Sequence, residues 1–424
     1  MSSDRRRLRK FKPSDLSLRI HNPIRAVVDS MNPAAANPKL ELVPLSLGDP
    51  TVFGNFKSSD VMTRALLSHV RKGLSNGYVH SAGTADARDA VATRHRTKST
   101  PYRKEDAVIA SGCSGALDLA LSVLLDPGRN VLVPRPGFPL YETIAKARGA
   151  EARHYRLDPD REWCADLDHL ESLIDEDTRV LVMNNPSNPC GSVFPEAHVR
   201  DILAIARRHD LVVVADEIYA NMCFRDANFR AAADLSGDVP VLTVGGLAKE
   251  FLVPGWRLGW ILVCDRTGAL DDVRKGLQRL TQLTLGASTL VQSVLPNVLA
   301  PTSDRDADRL RRFHDAVNAR LEEHATFTCE YLSRVPGLRV VRPRGAMYVM
   351  IGVQVDRFDA SIVDDVTFCD LLLREEAVFV LPGMCFGVPN FFRVVFAAPL
   401  PMLKDAFSRI ERFCKGHLAA ADGA

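Results

Sequence analysis

Short apolar runs alternate with longer amphipathic ones through the middle of the chain. Val131–Val133, Val180–Met183, Leu211–Val214, Val241–Val244 and Trp260–Val263 are each rich in Val, Ile or Leu, and each meets polar or turn residues at its end. An apolar run without polar alternation predicts a strand buried on both faces. Segments between them, such as His198–Ala206, carry helical spacing instead. Strand and helix in repeated alternation predict an α/β three-layer sandwich with a mainly parallel central sheet. Ligands in such sheets gather beyond the C-terminal ends of the strands.

The flanks read differently. The first 75 residues are rich in Pro and Asn and turn at Gly48-Asp49-Pro50. Beyond Pro301 a long charged helical pattern precedes strand-like stretches at Val340–Ile351 and Val378–Ala398. These flanks predict a smaller α+β domain made by both chain ends, from residues 16–75 and 311–424, around a large domain at 76–310. Residues 1–15, with Arg5-Arg6-Arg7-Leu8-Arg9-Lys10, are expected to form a mobile arm.

Composition narrows the function classes. A chain of 424 residues, 46% hydrophobic, has ample core for two domains. The 54 Lys plus Arg nearly balance 52 Asp plus Glu, which argues against a globally basic nucleic-acid binder. Leu280–Ser303 has no charge but many polar groups, so it predicts a buried helix plus loop and not a membrane span. Nine cysteines without a C-x-x-C pair fit a reducing compartment, and a cytoplasmic location is expected over a mitochondrial one. Eleven histidines without H-E-x-x-H spacing predict no metal site.

Five segments carry candidate chemistry. In Gly245-Gly246-Leu247-Ala248-Lys249, the lysine follows a buried strand among small neighbours. Desolvation there favours a neutral, nucleophilic amine, although a lysine after a strand also suits a surface. Arg257 follows in Pro254-Gly255-Trp256-Arg257-Leu258-Gly259-Trp260, where a guanidinium suits a phosphate or a buried salt bridge. Ser111-Gly112-Cys113-Ser114-Gly115 leads from a strand into an apolar helix, the arrangement that presents free N–H groups to an anion; small residues also cap ordinary helices. Asn184-Asn185-Pro186-Ser187-Asn188-Pro189 and Val214-Ala215-Asp216-Glu217-Ile218-Tyr219 also follow apolar runs. Turn chemistry alone accounts for the first, and a helix N-cap for Asp216; a buried carboxylate, however, calls for a partner such as a pyridinium N–H. Arg393 interrupts the apolar Phe392–Phe396, so it needs an anion, either a core carboxylate or that of a substrate.

Taken in this order, the motifs resemble the class I pyridoxal-phosphate-dependent aminotransferases of fold type I, over roughly residues 15–415. Pro134-Arg135-Pro136-Gly137-Phe138-Pro139, Asn22-Pro23-Ile24-Arg25 and the stretch from Lys249 to Trp260 resemble the subgroup that acts on tyrosine. The resemblance implies pyridoxal 5′-phosphate as cofactor, Lys249 as the Schiff-base lysine and proton carrier, and Asp216 as partner of the ring nitrogen. It places Asn188 and Tyr219 at the ring oxygen, Phe138 on the ring face, and Gly112, Cys113, Ser114 and Arg257 at the phosphate. Arg393 and Asn188 would hold the substrate carboxylate beside Gly48. Tyr78 would reach the site of a second subunit, which implies a homodimer. The implied activity is a ping-pong exchange of amino groups between an L-amino acid and a 2-oxo acid, with small molecules, not nucleic acid or membrane, as partners. An alanine or broad-specificity transaminase and a C–S lyase share the scaffold, and a non-catalytic regulator is the remote alternative.

Two departures bear on the site. Gly246 stands where many members have a phosphate-binding serine. Between Thr281 and Pro301 there is no arginine or lysine, which disfavours a pocket for a side-chain carboxylate and favours aromatic or small apolar side chains.

Overall fold

The structure, a computed structural model, describes residues 11–31 and 33–419. The expected arm therefore lies mostly outside the described residues; a short helix starts at Asp15, capped by Ser14. In chain order the strands are β1 (Val43–Pro44), β2 (Ala107–Ala110), β3 (Asn130–Arg135), β4 (Glu151–Asp158), β5 (Cys164–Ala165), β6 (Thr178–Asn184), β7 (Val212–Asp216), β8 (Val241–Gly246), β9 (Gly259–Cys264), β10 (Leu338–Val340), β11 (Tyr348–Val353), β12 (Val378–Phe379), β13 (Leu381–Pro382) and β14 (Phe391–Val395).

Eight of them form one sheet in the order β2-β9-β8-β7-β6-β3-β4-β5. The run from β8 through β4 is parallel; β9 is antiparallel to both its neighbours, and the two-residue β5 is antiparallel to β4. Alternation explains why the central strands read as continuous apolar runs. Val131, Val180, Val182, Val214, Leu242 and Ile261 pack on one face with Leu117 and Leu121 of helix Gly112–Ser122 and Ile144 of helix Leu140–Ala147. Leu132, Leu181, Val213, Val241 and Leu262 pack on the other with Val199, Ile202 and Ala206 of helix Glu196–Arg208. Both faces are covered, so neither alternate set can be polar.

β4 escapes the apolar pattern. It lies near the sheet's edge, and Arg153 there pairs with Glu151 and Asp175, so charged positions suit it. Leu280–Ser303, expected as a buried helix plus loop, is more broken and less buried than that. It holds the short helices Thr289–Gln292 and Leu295–Leu299, while Leu283 and Leu285 before them are exposed.

The second sheet, β10-β11-β14-β13, is antiparallel. It packs with Leu321 and Ala325 of helix Asp304–Leu332, Phe368 of helix Asp365–Glu376, and Phe407 and Ile410 of helix Leu400–Gly416. The chain's early part joins this unit directly: β1 pairs in parallel with β12, and the Val395 N–H donates to the Leu45 carbonyl at 3.0 Å. Helix Asp304–Leu332 runs without a break through position 311, the boundary expected from the sequence.

Candidate active site

Five segments converge on one edge of the large sheet because their strands point the same way. Gly112–Ser114 follow β2, Phe138 follows β3, Asn188 follows β6, Asp216 ends β7 and Lys249 follows β8. Antiparallel β9 starts at that same edge, just after Arg257. All but Gly112 line a cavity of about 560 Å³, together with Gly48, Tyr219 and Arg393. Gly112 is buried directly beneath the Arg257 guanidinium.

One end of this cavity suits a phosphate. Helix Gly112–Ser122 begins there, and its N-cap Ser111 makes no side-chain capping bond, so its first N–H groups stay available to an anion. Arg257 makes a 3.1 Å bond to the Pro254 carbonyl and no ion pair among the described residues. The packing requires three glycines. Gly112 has φ +75°, and a Cβ there would lie 2.6 Å from the Arg257 guanidinium. A Cβ on Gly259 would lie 2.5 Å from the Cys113 nitrogen. Gly246 pairs with Gly259 across the sheet, and its Cβ would meet the Leu258 carbonyl at 2.8 Å. A serine at 246 would thus require β8 and β9 to move apart.

At the centre, the Asp216 carboxylate is buried without an ion pair among the described residues. Tyr141 Oη donates to it at 2.6 Å, the Ile218 N–H at 3.3 Å and Cys113 Sγ at 3.8 Å. Burial pushes this carboxyl up, and the three donors pull it back. A buried acid with only neutral donors still lacks a counter-charge, which a cationic ring N–H supplies. No helix follows Asp216, so it is not an N-cap. Lys249 Nζ donates to the Gly48 carbonyl at 2.5 Å, which ties the amine to the loop expected beside the substrate.

The far end is built around Arg393, which is only 3% exposed. It donates to Asn188 Oδ1 at 2.9 Å and to the Ser46 carbonyl at 2.7 Å. Its guanidinium lies 4.5 Å from the Tyr348 ring centre and 4.7 Å from that of Phe386. Its Nε is buried without a partner, and no described carboxylate pairs with it. The core salt bridge open from sequence is therefore absent, and an incoming carboxylate meets an unneutralised cation.

Sequence reasoning missed three supporting groups. Tyr141 lies three residues after Phe138, a spacing that was available to read. Asn184 accepts from the Asn188 N–H at 2.7 Å and donates to the Asp216 carbonyl at 3.0 Å, which locks two loops together. Tyr348 shares a 2.9 Å hydrogen bond with Tyr219, 129 positions away, so no local pattern reveals it. Tyr78 lies elsewhere: it is 93% exposed and outside the cavity lining.

A family model described as aminotransferase class I and II matches residues 41–410. The chain belongs to the class I and II aminotransferases. The tyrosine aminotransferase of Bos taurus is 45% identical over 413 residues, covering 97% of this chain and 90% of that protein. The crystal structure of tyrosine aminotransferase from Leishmania infantum superimposes with a TM-score of 0.90 at 34% identity, covering 97% of this chain and all of the other. An alanine aminotransferase from Pyrococcus furiosus gives 0.88 at 28% identity, covering 96% of this chain and all of the other. The fold is that of fold type I, and the enzyme is a pyridoxal-phosphate-dependent transaminase. The cavity fits that cofactor, with an uncapped helix start and a guanidinium without an ion pair for its phosphate, a lone buried carboxylate for its ring nitrogen, and an amine in the same lining.

One neighbour of the site has its own pH signature. Glu217, next to Asp216 but outside the cavity, is buried and accepts from the Ala232 N–H at 2.8 Å. Burial raises it from the ordinary 4.5 to about 8. The folded state holds this proton more tightly than the unfolded chain. Its contribution to stability is therefore full below about 4.5 and is lost as pH rises through about 8. Glu217→Gln should match wild type in thermal unfolding near the low end of this window. It should unfold at a higher temperature than wild type above the upper end.

Proposed function

We propose that this transaminase takes the amino group of tyrosine, or of another aromatic L-amino acid, and passes it to 2-oxoglutarate or pyruvate in a ping-pong cycle. The carrying observation is the lining of the cavity. Its cations are Lys249, Arg257 and Arg393, and each has a role with amine, phosphate or α-carboxylate. None is left as a dedicated partner for the side-chain carboxylate of a donor such as aspartate, so the second carboxylate of 2-oxoglutarate would be met by hydrogen-bond donors or solvent and not by a further cation. Ile24, Leu47, Ile218, Phe379 and Leu381 supply apolar surface. The names of the similar proteins from Bos taurus and Leishmania infantum support the same substrate.

In this reading Gly112, Cys113, Ser114 and Arg257 hold the cofactor's phosphate. Asp216 holds its ring nitrogen, Asn188 and Tyr219 its ring oxygen, and Phe138 covers the ring. When bound, pyridoxal phosphate supplies an electron sink for the negative charge left at Cα. Arg393 and Asn188 grip the substrate carboxylate and so fix which Cα bond is presented for cleavage. The Lys249 amine, when not bound to the cofactor, would take the Cα proton and deliver it to the cofactor carbon on the other side of the transferred nitrogen.

A substrate panel tests the specificity: tyrosine, phenylalanine, tryptophan, alanine, leucine, methionine and aspartate, each against pyruvate and 2-oxoglutarate. The highest kcat/KM is expected with the aromatic donors and a low one with aspartate. Preference for alanine would favour the alternative that the Pyrococcus furiosus structure suggests. Tyrosine added alone should yield stoichiometric oxo acid; catalytic ammonia release would mark a lyase.

The same reading includes a homodimer. Tyr78, exposed and outside this chain's own cavity, would serve a second subunit's site, and Leu67, Val70, Leu74, Leu283 and Leu285 add exposed apolar surface that association would cover. Sedimentation of the holoenzyme should give a dimer, and a fully active monomer would remove this part.

A further inference from the structure

We infer that Tyr141 is a positioning residue for transamination: its hydroxyl, with the Cys113 thiol beside it, keeps the Asp216 carboxylate charged and aimed at the cofactor's ring nitrogen. The inference rests on the role of Asp216 given above and assigns what holds that residue in its working state.

The geometry is specific. Tyr141 is 1% exposed and sits in the first turn of helix Leu140–Ala147. Its Oη reaches Asp216 Oδ2 at 2.6 Å, while the weaker contact from Cys113 Sγ goes to Oδ1 at 3.8 Å. The Ile218 N–H also donates to Oδ1, at 3.3 Å. Both carboxylate oxygens are thus fixed by donors from three separate elements. The Tyr141 ring packs edge-on against Phe138, with centres 5.9 Å apart and planes at 85°, so the hydroxyl is tied to the residue that covers the cofactor ring.

All three donors are neutral. Burial and the neighbouring Asp216 push both the Tyr141 phenol and the Cys113 thiol well up, so each keeps its proton to donate. The other titratable groups facing Asp216 are Glu217 on the same turn, Tyr219, and Lys249 and Arg257 across the cavity. Burial disfavours the carboxylate, and the Tyr141 hydrogen bond is the largest opposing influence within the chain. A cationic donor in that place would neutralise Asp216 and weaken its hold on the ring. A phenol steadies the charge without cancelling it.

Tyr141→Phe removes only the hydroxyl and leaves the buried ring. Apo-protein should then bind pyridoxal phosphate about tenfold more weakly by fluorescence titration, the usual effect of losing a hydrogen bond to a charged group. With tyrosine and 2-oxoglutarate, the acid limb of kcat/KM should move toward neutral pH, because Asp216 takes up a proton more readily. kcat should fall more than KM changes. In an Asp216→Asn background the same substitution should add nothing, because its effect passes through the carboxylate. Cys113→Ala should move the acid limb the same way by less. Wild-type cofactor affinity and an unmoved acid limb in Tyr141→Phe, or full additivity with Asp216→Asn, would overturn the inference. If Tyr141→Phe does not fold, an unmoved limb in Cys113→Ala overturns it instead. Wild-type protein that fails to bind pyridoxal phosphate would overturn the underlying reading as well.

Discussion

Lys249→Ala should lose turnover by about 10⁴-fold, the upper range for removing a positioned proton carrier, while the protein stays folded. The side chain is only partly buried, and its one hydrogen bond goes to the Gly48 carbonyl, so its removal opens little space and leaves no buried charge. The loss would therefore be chemical and not structural. Two proposed roles would disappear together: the covalent hold on the cofactor and the base that moves the Cα proton. The phosphate end of the cavity does not depend on Lys249, so the variant should still bind pyridoxal phosphate, but reversibly. Three measurements check this: turnover, the visible absorbance of the holoenzyme, and the mass of the Lys249 peptide after borohydride reduction. Full turnover with wild-type absorbance in the variant would end the assignment of Lys249.

Arg393→Gln should act at the opposite end and in a different way. Arg393 is buried between Tyr348 and Phe386, donates to Asn188 and Ser46, and has no carboxylate partner among the described residues. Truncating one member of a buried, hydrogen-bonded charge pair costs about 2–5 kcal/mol, roughly 30- to several-thousand-fold in kcat/KM. Most of the change should appear in KM, because the α-carboxylate is gripped before and during the chemistry alike. Cofactor affinity should stay near wild type, since Arg393 holds none of the proposed phosphate or ring contacts. Arg393→Lys should recover little. A single ammonium cannot satisfy Asn188, Ser46 and a carboxylate in the fork geometry that a guanidinium provides. If Arg393→Gln weakened cofactor binding while KM held steady, Arg393 would belong to the cofactor and not to the substrate.

The two variants probe parts of the site that differed in how legible they were. Lys249 and Asp216 each follow or end a strand buried on both faces, and such strands announce themselves by unbroken apolar runs. In a parallel sheet those ends share one edge, so their convergence follows from the pattern itself. Arg393 was visible for a related reason, as one charge inside an apolar strand. Its environment was not visible. The sequence left open a core salt bridge, and only the placement of β14 beside β11, the Ser46 segment and the Asn188 loop showed a guanidinium without a carboxylate.

β4 and the stretch around Leu283 mark the limits of pattern reading. β4 carries charges because it lies near the sheet's edge, and edge position is a property of strand order, which no local window contains. The stretch at Leu280–Ser303 lacks charge, which suggested burial, yet Leu283 and Leu285 are exposed. Local hydrophobicity reports that a side chain avoids water, not which surface covers it.

By itself, then, the order of residues determined the parallel sheet, the edge at which the site forms, and the types of group delivered there: amine, carboxylate, guanidinium and a helix start built of small residues. These follow from short-range periodicity and from the high cost of burying an unpaired charge. Tertiary structure alone decided the partnerships: Tyr141 on Asp216, Tyr348 on Tyr219, and Arg393 between two rings. The first two join residues 75 and 129 positions apart, and the strength of all three depends on ångström-scale approach in a medium without water. Lys249 could be found from its neighbours in the chain, whereas the state of the Asp216 carboxylate it works with is set by neighbours that only folding provides.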